Sequence, residues 1–331
     1  MTSHTEPPNR MTVRVWAALG VVYVVWGSTY LAIRYTIDTV PPLLSAGTRF
    51  VFAGMVALLA VRLVRGPAAL RASRGELGTA AVSGVLLLVC GNGLVVIGEQ
   101  RVPSGLAALI VACVPLWVVV LRALLRDRPT PVTVVGVLVG LVGVGVLLLP
   151  GGGNGSVDPW YAGLLVLAAL SWSAGSLLAT RRPVPADPFF FTAVQMLVAG
   201  AGLLLLATAR GETTGFAVGQ VSLTSWLALA YLVVFGSLVA FTAYVWVLGK
   251  APVSVVATYA YVNPAVAVLL GVLVAGERLT GGELVGGLVI LLAVAVVVSE
   301  EGRRSRQARR DLVSVGSDHR DAPGTVPESA D

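Results

Sequence analysis

Long apolar runs alternate with short polar breaks along most of the chain. A helix of about 20 apolar residues crosses the hydrocarbon core of a bilayer. Runs of that size fall at roughly 13–34, 43–64, 77–98, 104–125, 131–149, 159–180, 189–209, 225–248, 253–275 and 281–299. The breaks hold turn residues: Pro41-Pro42, Pro129-Thr130-Pro131 and Gly151-Gly152-Gly153-Asn154-Gly155. The glycine stretch lacks the Gly-Lys-Ser/Thr of a phosphate loop and reads as a linker. The pattern predicts an all-α polytopic membrane protein of ten transmembrane helices. Its parts are an N-terminal tail 1–12, a five-helix unit 13–149, a linker 150–158, a second five-helix unit 159–299 and a tail 300–331. The polar, mixed-charge composition of the last part predicts disorder.

Composition agrees with this picture. Of 331 residues, 56% are hydrophobic and 12% charged, against about 25% charged in soluble domains; mean hydropathy is +0.86. The net charge of +6 is topological rather than a nucleic-acid face. With ten spans, Arg34, Arg101, Arg210 and Arg278 fall on one side and Arg49 inside a span. Every other Lys and Arg falls on the side of the two tails, which predicts cytoplasmic termini. No signal-peptide cleavage pattern precedes the first run. Cys90 and Cys113 lie in apolar runs and the histidines, His4 and His319, in the tails. Neither a disulfide framework nor a metal site is expected, and no cofactor.

The two units repeat each other. Trp26, Leu31, Pro42, Arg49, Ala53 and Gly54 match Trp172, Leu177, Pro188, Gln195, Ala199 and Gly200 at one offset of 146. Pro103 and Pro115 match Pro252 and Pro264 at 149, and Gly136 matches Gly286 at 150. Each unit has an odd number of spans, so the second enters the membrane from the opposite side. Two inverted five-helix repeats are the architecture of many alternating-access transporters.

Particular segments carry a family resemblance. They are Trp26-Gly27-Ser28-Thr29-Tyr30, Pro41-Pro42-Leu43, Arg49-Phe50, Gly91-Asn92-Gly93 with Glu99, and Val102-Pro103-Ser104-Gly105-Leu106-Ala107-Ala108 with Val114-Pro115-Leu116. The second half adds Ser171-Trp172, Phe235-Gly236-Ser237, Tyr259-Ala260-Tyr261-Val262-Asn263-Pro264 and Gly276-Glu277. Over about 14–299 the chain resembles the EamA-type transporters of the drug/metabolite transporter superfamily, most of all the YedA-type bacterial inner-membrane exporters. The resemblance implies a multi-pass protein of the inner membrane that exports amino acids, other metabolites or toxic compounds. It also implies a cavity lined by the first, third, fourth, sixth, eighth and ninth helices.

Polar groups inside spans are costly and mark pathways or partners. Arg49 reads either as an anion contact or as a fixed pair with a carbonyl or carboxylate. The second reading is favoured, because the second helix is not an implied lining helix. Asn92 and Glu99, seven apart, share a face and look like part of a permeation path, with interhelical hydrogen bonding the other reading of Asn92, which is flanked by Gly91 and Gly93. Glu99 would take a proton or attract a cation there, or else be an interfacial charge beside Arg101. Trp26 and Trp172 are mid-span, with Tyr30 on the face of Trp26, and suit packing or a cavity wall. Pro115 and Pro264 remove backbone donors in corresponding helices, the second freeing the carbonyl of Ala260. Paired breaks point to a midplane site, so Tyr259 and Asn263, four apart, are the leading substrate-binding candidates, with Ser237 and Tyr244 beside them. Gly136, Gly140 and Gly143 allow close helix packing and leave a homodimer contact open. The expected partners are a small-molecule substrate and the lipid bilayer, with no nucleic acid. A passive facilitator or channel is the alternative to secondary transport. A membrane enzyme is less favoured, since no span holds a histidine and no loop holds paired acids.

Overall fold

The computed structural model describes residues 13–148, 158–248, 250–251, 253–256 and 258–318. Their main helices are α1 (Val13–Thr36), α2 (Pro42–Val64), α3 (Arg74–Gly98), α4 (Ser104–Leu124), α5 (Pro131–Leu148), α6 (Pro159–Arg181), α7 (Pro188–Ala209), α8 (Leu223–Leu248), α9 (Tyr259–Ala275) and α10 (Gly281–Asp318). Among the described residues, eight of these are long and apolar enough to cross a membrane, and α5 and α9 are shorter apolar helices. The 1–12 tail and all of the linker but Asp158 lie outside the described residues.

Helices are the expected solution, because lipid offers no partner for a free N–H or C=O. Their starts are specified locally. Pro42, Pro131, Pro159 and Pro188 begin α2, α5, α6 and α7, where a missing N–H costs nothing. Asp158 accepts from Trp160 N, and Asp187 from Phe189 N and Phe190 N. Gly276, at φ +65°, stops α9 in the left-handed region that glycine adopts freely. The outer surface is apolar: Leu63, Val142, Leu273 and Leu292 are exposed. Polar Arg49, Ser83, Glu99, Gln195 and Asn263 are buried. That inverted distribution suits lipid as the surrounding solvent.

Reciprocal contacts relate the halves by a pseudo-two-fold axis. A Cβ on Gly54 would lie 2.9 Å from Leu197 Cγ, and one on Gly200 would lie 2.6 Å from Val51 N. Exchanging equivalent residues turns the first contact into the second. The pair α5 and α10 behaves likewise, with Gly136 against Val297 and Gly286 against Leu147. Gly140 and Gly143 also face α10, against Ala293 and Ile290. These glycines therefore serve packing within the chain.

Three features differ from the sequence reading. First, eight-residue π stretches interrupt α3 at Val85–Asn92 and α8 at Leu232–Val239, at equivalent places in the two halves. Second, the breaks do not coincide with the prolines. In α4 the interruption is at Ala112-Cys113, and Pro115 follows it at the start of the second segment. In the ninth helix a turn, Val253–Val256, precedes α9, and Pro264 lies inside α9. The interruption falls before Tyr259, not at Ala260. Thr258 N and Tyr261 N bond three residues back, to Val255 O and Thr258 O, so the tightened turn sits upstream of the proline. Third, α10 runs on to Asp318, so 300–318 is helical where composition points to disorder. Its polar part is tied down: Arg122 bonds Glu301 at 2.5 Å, and Arg304 lies 3.6 Å from Asp127. The Arg122 guanidinium, hydrogen-bonded to Asp127, holds that carboxyl below the usual carboxylate range.

Candidate functional site

Trp26, Tyr244 and Tyr259 meet inside the bundle, from α1, α8 and α9. Ring centroids are 5.1 Å apart for Trp26–Tyr244, 5.3 Å for Trp26–Tyr259 and 5.7 Å for Tyr244–Tyr259. The tilted and edge-on geometries are those aromatic pairs prefer. The cluster is fixed by backbone chemistry. In the π stretch of α8, Ala240 N bonds Phe235 O, five residues back, instead of Gly236 O. Trp26 Nε1 donates to Gly236 O at 3.2 Å. Tyr30 is an electrostatic neighbour of both Tyr259 and Glu99 and extends the cluster toward α3.

Several buried polar atoms lack partners, and one of them belongs to Asn263, four residues from Tyr259. Asn263 Oδ1, Asn92 Oδ1, Trp117 Nε1 and both carboxylate oxygens of Glu99 are buried without a hydrogen bond among the described residues. A buried unsatisfied polar atom costs about 1–3 kcal/mol. Native interiors hold few of them, and each has bonding that a solute or water would complete. Glu99 is 1% exposed. The other carboxylate nearby, Glu277, is fully engaged: it accepts from Ser104 N and Oγ at 2.8 Å and from Gly105 N at 2.9 Å.

The two ends of the bundle differ. The distal end is where α1 stops and α2 begins. There Glu277 joins α9 to the start of α4, and Glu212 accepts from Leu43 N and Leu44 N at the start of α2. Ser225 Oγ donates to Tyr35 O at 2.7 Å. All three ties join the two halves. Toward the other end, a crevice of about 330 Å³ opens between α2, α7 and α8, within the usual range for small-molecule sites. Phe189, Thr192, Ser237 and Phe241 are among its lining residues. Ring contacts lead inward from it, Phe189–Phe241 at 6.5 Å and Phe241–Tyr244 at 6.4 Å.

Of the residues singled out in the sequence, Trp26, Tyr30, Tyr244, Tyr259 and Asn263 converge, with Glu99 beside Tyr30. Ser237 lines the crevice but is held by Arg49, whose Nε donates to Ser237 Oγ at 2.9 Å. The partner of Arg49 is thus a hydroxyl, where the sequence suggested a carbonyl or carboxylate. Trp172 is not in the aromatic cluster. It packs against Gly91 in α3, its Cε3 3.0 Å from where a Cβ would stand. Gly236, Glu277 and the crevice residues Phe189 and Phe241 are not singled out by the sequence as candidate site residues. Gly236 and Glu277 stand in segments that carry the family resemblance, but nothing in their spacing shows the bonds they make.

The comparisons with known proteins agree with this architecture. Two copies of the EamA-like transporter family model match residues 14–149 and 159–299. The inner membrane transporter YedA of Escherichia coli K12 is 39% identical over 289 residues, covering 87% of this chain and 92% of YedA. Protein PecM of Dickeya dadantii is 29% identical over 281 residues, covering 82% and 88%. A WAT1-related chloroplastic protein of Arabidopsis thaliana is 26% identical over 295 residues, covering 87% and 70%. A crystal structure matches with TM-score 0.59 at 23% identity, covering 88% of this chain and 98% of the matched one, which extends the likeness to the fold. With a family model over both halves and a 39% identical relative spanning nearly all of it, this chain belongs to the EamA-like transporter family.

Proposed function

We propose that this membrane transporter is a secondary exporter of small amphipathic solutes, working by alternating access between its two inverted repeats. On this reading α5 and α9 complete ten crossings and both termini are cytoplasmic, which the distribution of Arg and Lys supports. The observation that carries the proposal is the meeting of Trp26 from one half with Tyr244 and Tyr259 from the other, with the unpartnered Oδ1 of Asn263 four residues from Tyr259. A solute enters through the crevice between α2, α7 and α8 while the Glu277, Glu212 and Ser225 ties hold the distal end shut. Exchange of equivalent contacts across the pseudo-two-fold then closes one end and opens the other. Glu99 serves as the proton or cation site.

A counterflow screen tests this. Purified protein in liposomes preloaded with candidate metabolites should accumulate the labelled form of its substrate transiently. Accumulation by simple equilibration, with no overshoot, would instead establish a passive facilitator. Orientation is read separately. Gly219 has open space around it, and Gly219→Cys, in a background lacking Cys90 and Cys113, should react with an impermeant maleimide from outside the cell. Reaction only after permeabilisation reverses the proposed topology.

A further inference from the structure

Among the described residues, Arg49 is a buried cation with one hydrogen bond and no counter-charge. It is 6% exposed. Its Nε is used by Ser237 Oγ, its guanidinium lies 5.0 Å from the Phe50 ring centroid, and no carboxylate pairs with it among the described residues. Four N–H donors of its fork remain. An isolated charge in a protein interior inside a bilayer is retained only where something neutralises it.

The repeat supplies an internal control. Gln195 occupies the equivalent position in α7, is equally buried at 5% exposure, and donates Nε2 to Ser83 Oγ of α3 at 2.9 Å. Each residue therefore links its helix to the π-containing helix of a repeat through one serine. The neutral amide performs that link as well as the guanidinium, so the positive charge at 49 has a further use. Its location suggests which. Ser237, its partner, lines the crevice. A Cβ on Gly236 would stand 3.3 Å from Arg49 Nη2, and the same Gly236 carbonyl receives Trp26 Nε1. The guanidinium lies between the crevice and the aromatic cluster.

We infer that Arg49 is a specificity-determining residue that binds the anionic head of the transported solute, selecting molecules with an apolar or aromatic body and one carboxylate-type group. This rests on the transport reading above. The planar fork suits a carboxylate bidentately, and Trp26, Tyr244 and Tyr259 provide walls for the body.

The test uses the full chain in a neutral detergent and three probes of the same shape: phenylacetate, phenylacetamide and phenethylamine. Equilibrium dialysis should show saturable phenylacetate binding, at least about tenfold tighter than the amide or the amine. Arg49→Gln should weaken phenylacetate about tenfold to a hundredfold, down to the level of the amide, and Arg49→Lys should restore part of the loss. Equal affinity for all three probes overturns the inference, as does unchanged phenylacetate affinity in Arg49→Gln. If Arg49→Gln does not fold, Arg49→Lys and the head-group series on the unaltered protein give the same decision. Competition by phosphatidylglycerol added to the micelles, with no phenylacetate flux, assigns the charge to a lipid phosphate and also overturns it. Flux in liposomes separates the two proposals. Phenylacetate binding without any flux sinks the transport reading alone, whereas amide or amine flux indifferent to Arg49→Gln sinks the anion site alone.

Discussion

Trp26 and Gly236 are joined by a hydrogen bond of 3.2 Å from the indole Nε1 to the carbonyl that the π stretch of α8 releases from the usual ladder. The other half has a counterpart. Ser171 of α6 donates to Leu86 O in the π stretch of α3, at 2.8 Å, and Trp172 packs on Gly91 there. The first helix of each repeat therefore binds the irregular helix of the other. Only the Trp26 side adds Tyr244 and Tyr259. Trp26→Phe keeps an aromatic ring but shrinks the indole and removes the donor, so it should cost at least about 0.5–1.5 kcal/mol of stability and weaken substrate binding. Trp172→Phe should lower melting temperature without changing affinity. Thermal melts and binding on the same preparations check both, and equal loss of affinity in the two variants would remove the asymmetry.

The close approach of α2 and α7 sets a second expectation. A Cβ at Gly200 would come within 2.6 Å of Val51 N, a backbone atom that cannot move aside. Gly200→Ala should destabilise by about 1–3 kcal/mol, as overpacking does. On α6, a Cβ at Gly163 meets nothing within 4 Å, so Gly163→Ala should be neutral or slightly stabilising. Melting curves in detergent separate the two, and similar behaviour would mean that α2 and α7 do not pack this way.

Much of this was legible in the sequence, for specific physical reasons. Lipid demands long apolar helices, so the runs show as such, and the duplication survives in Trp26/Trp172 and Gly54/Gly200 because close packing tolerates little change there. Aromatic and amide residues in mid-span stand out against an apolar background, so Tyr259 and Asn263 were visible. The π stretches were not, since Val85–Asn92 and Leu232–Val239 hold no proline and little polar patterning to mark a change of hydrogen-bond register. Spans that are apolar all round also conceal which face looks inward. That is why the separate place of Trp172 and the Arg49–Ser237 bond do not show in the sequence. The helical 300–318 escaped because the ties at its start, from Glu301 to Arg122 and from Arg304 to Asp127, join residues far apart in sequence.

Glu99 carries a third expectation. It is buried with neither oxygen hydrogen-bonded, and its charged and titratable neighbours are Tyr30, Arg34 and Glu277. Glu277 is committed to the start of α4, so on the proposed transport reading Glu99 is the group that would exchange a proton or cation. Glu99→Gln should keep the fold, slow flux at least about tenfold, the effect of losing one charge-assisted contact, and flatten the dependence of flux on pH. Flux measured in liposomes across a pH series checks this. An unchanged profile would reduce Glu99 to a structural carboxyl.

Tyr259 and Asn263 test the site most directly, because their two readings predict opposite pairs of results. They lie four apart on α9, just after the turn that interrupts the ninth helix. Tyr259 forms one wall of the aromatic cluster, with Trp26 at 5.3 Å. Asn263 is buried with its Oδ1 unpartnered, although its own carbonyl backs closely onto Gly27 of α1, 2.9 Å from where a Cβ would stand. An amide kept for structure would be bonded to a neighbour. One kept for a solute waits unpaired, and removing it relieves a cost in the empty protein. Asn263→Ala should therefore leave melting temperature unchanged or raise it, while weakening substrate binding by about tenfold or more, the equivalent of one buried hydrogen bond. Tyr259→Ala removes a packed ring as well, so it should lower both stability and affinity, and Tyr259→Phe should restore the stability. Melting temperature and substrate affinity on the same preparations decide the matter. A lower melting temperature in Asn263→Ala with unaltered affinity would make α9 a scaffold and place the binding site elsewhere in the bundle.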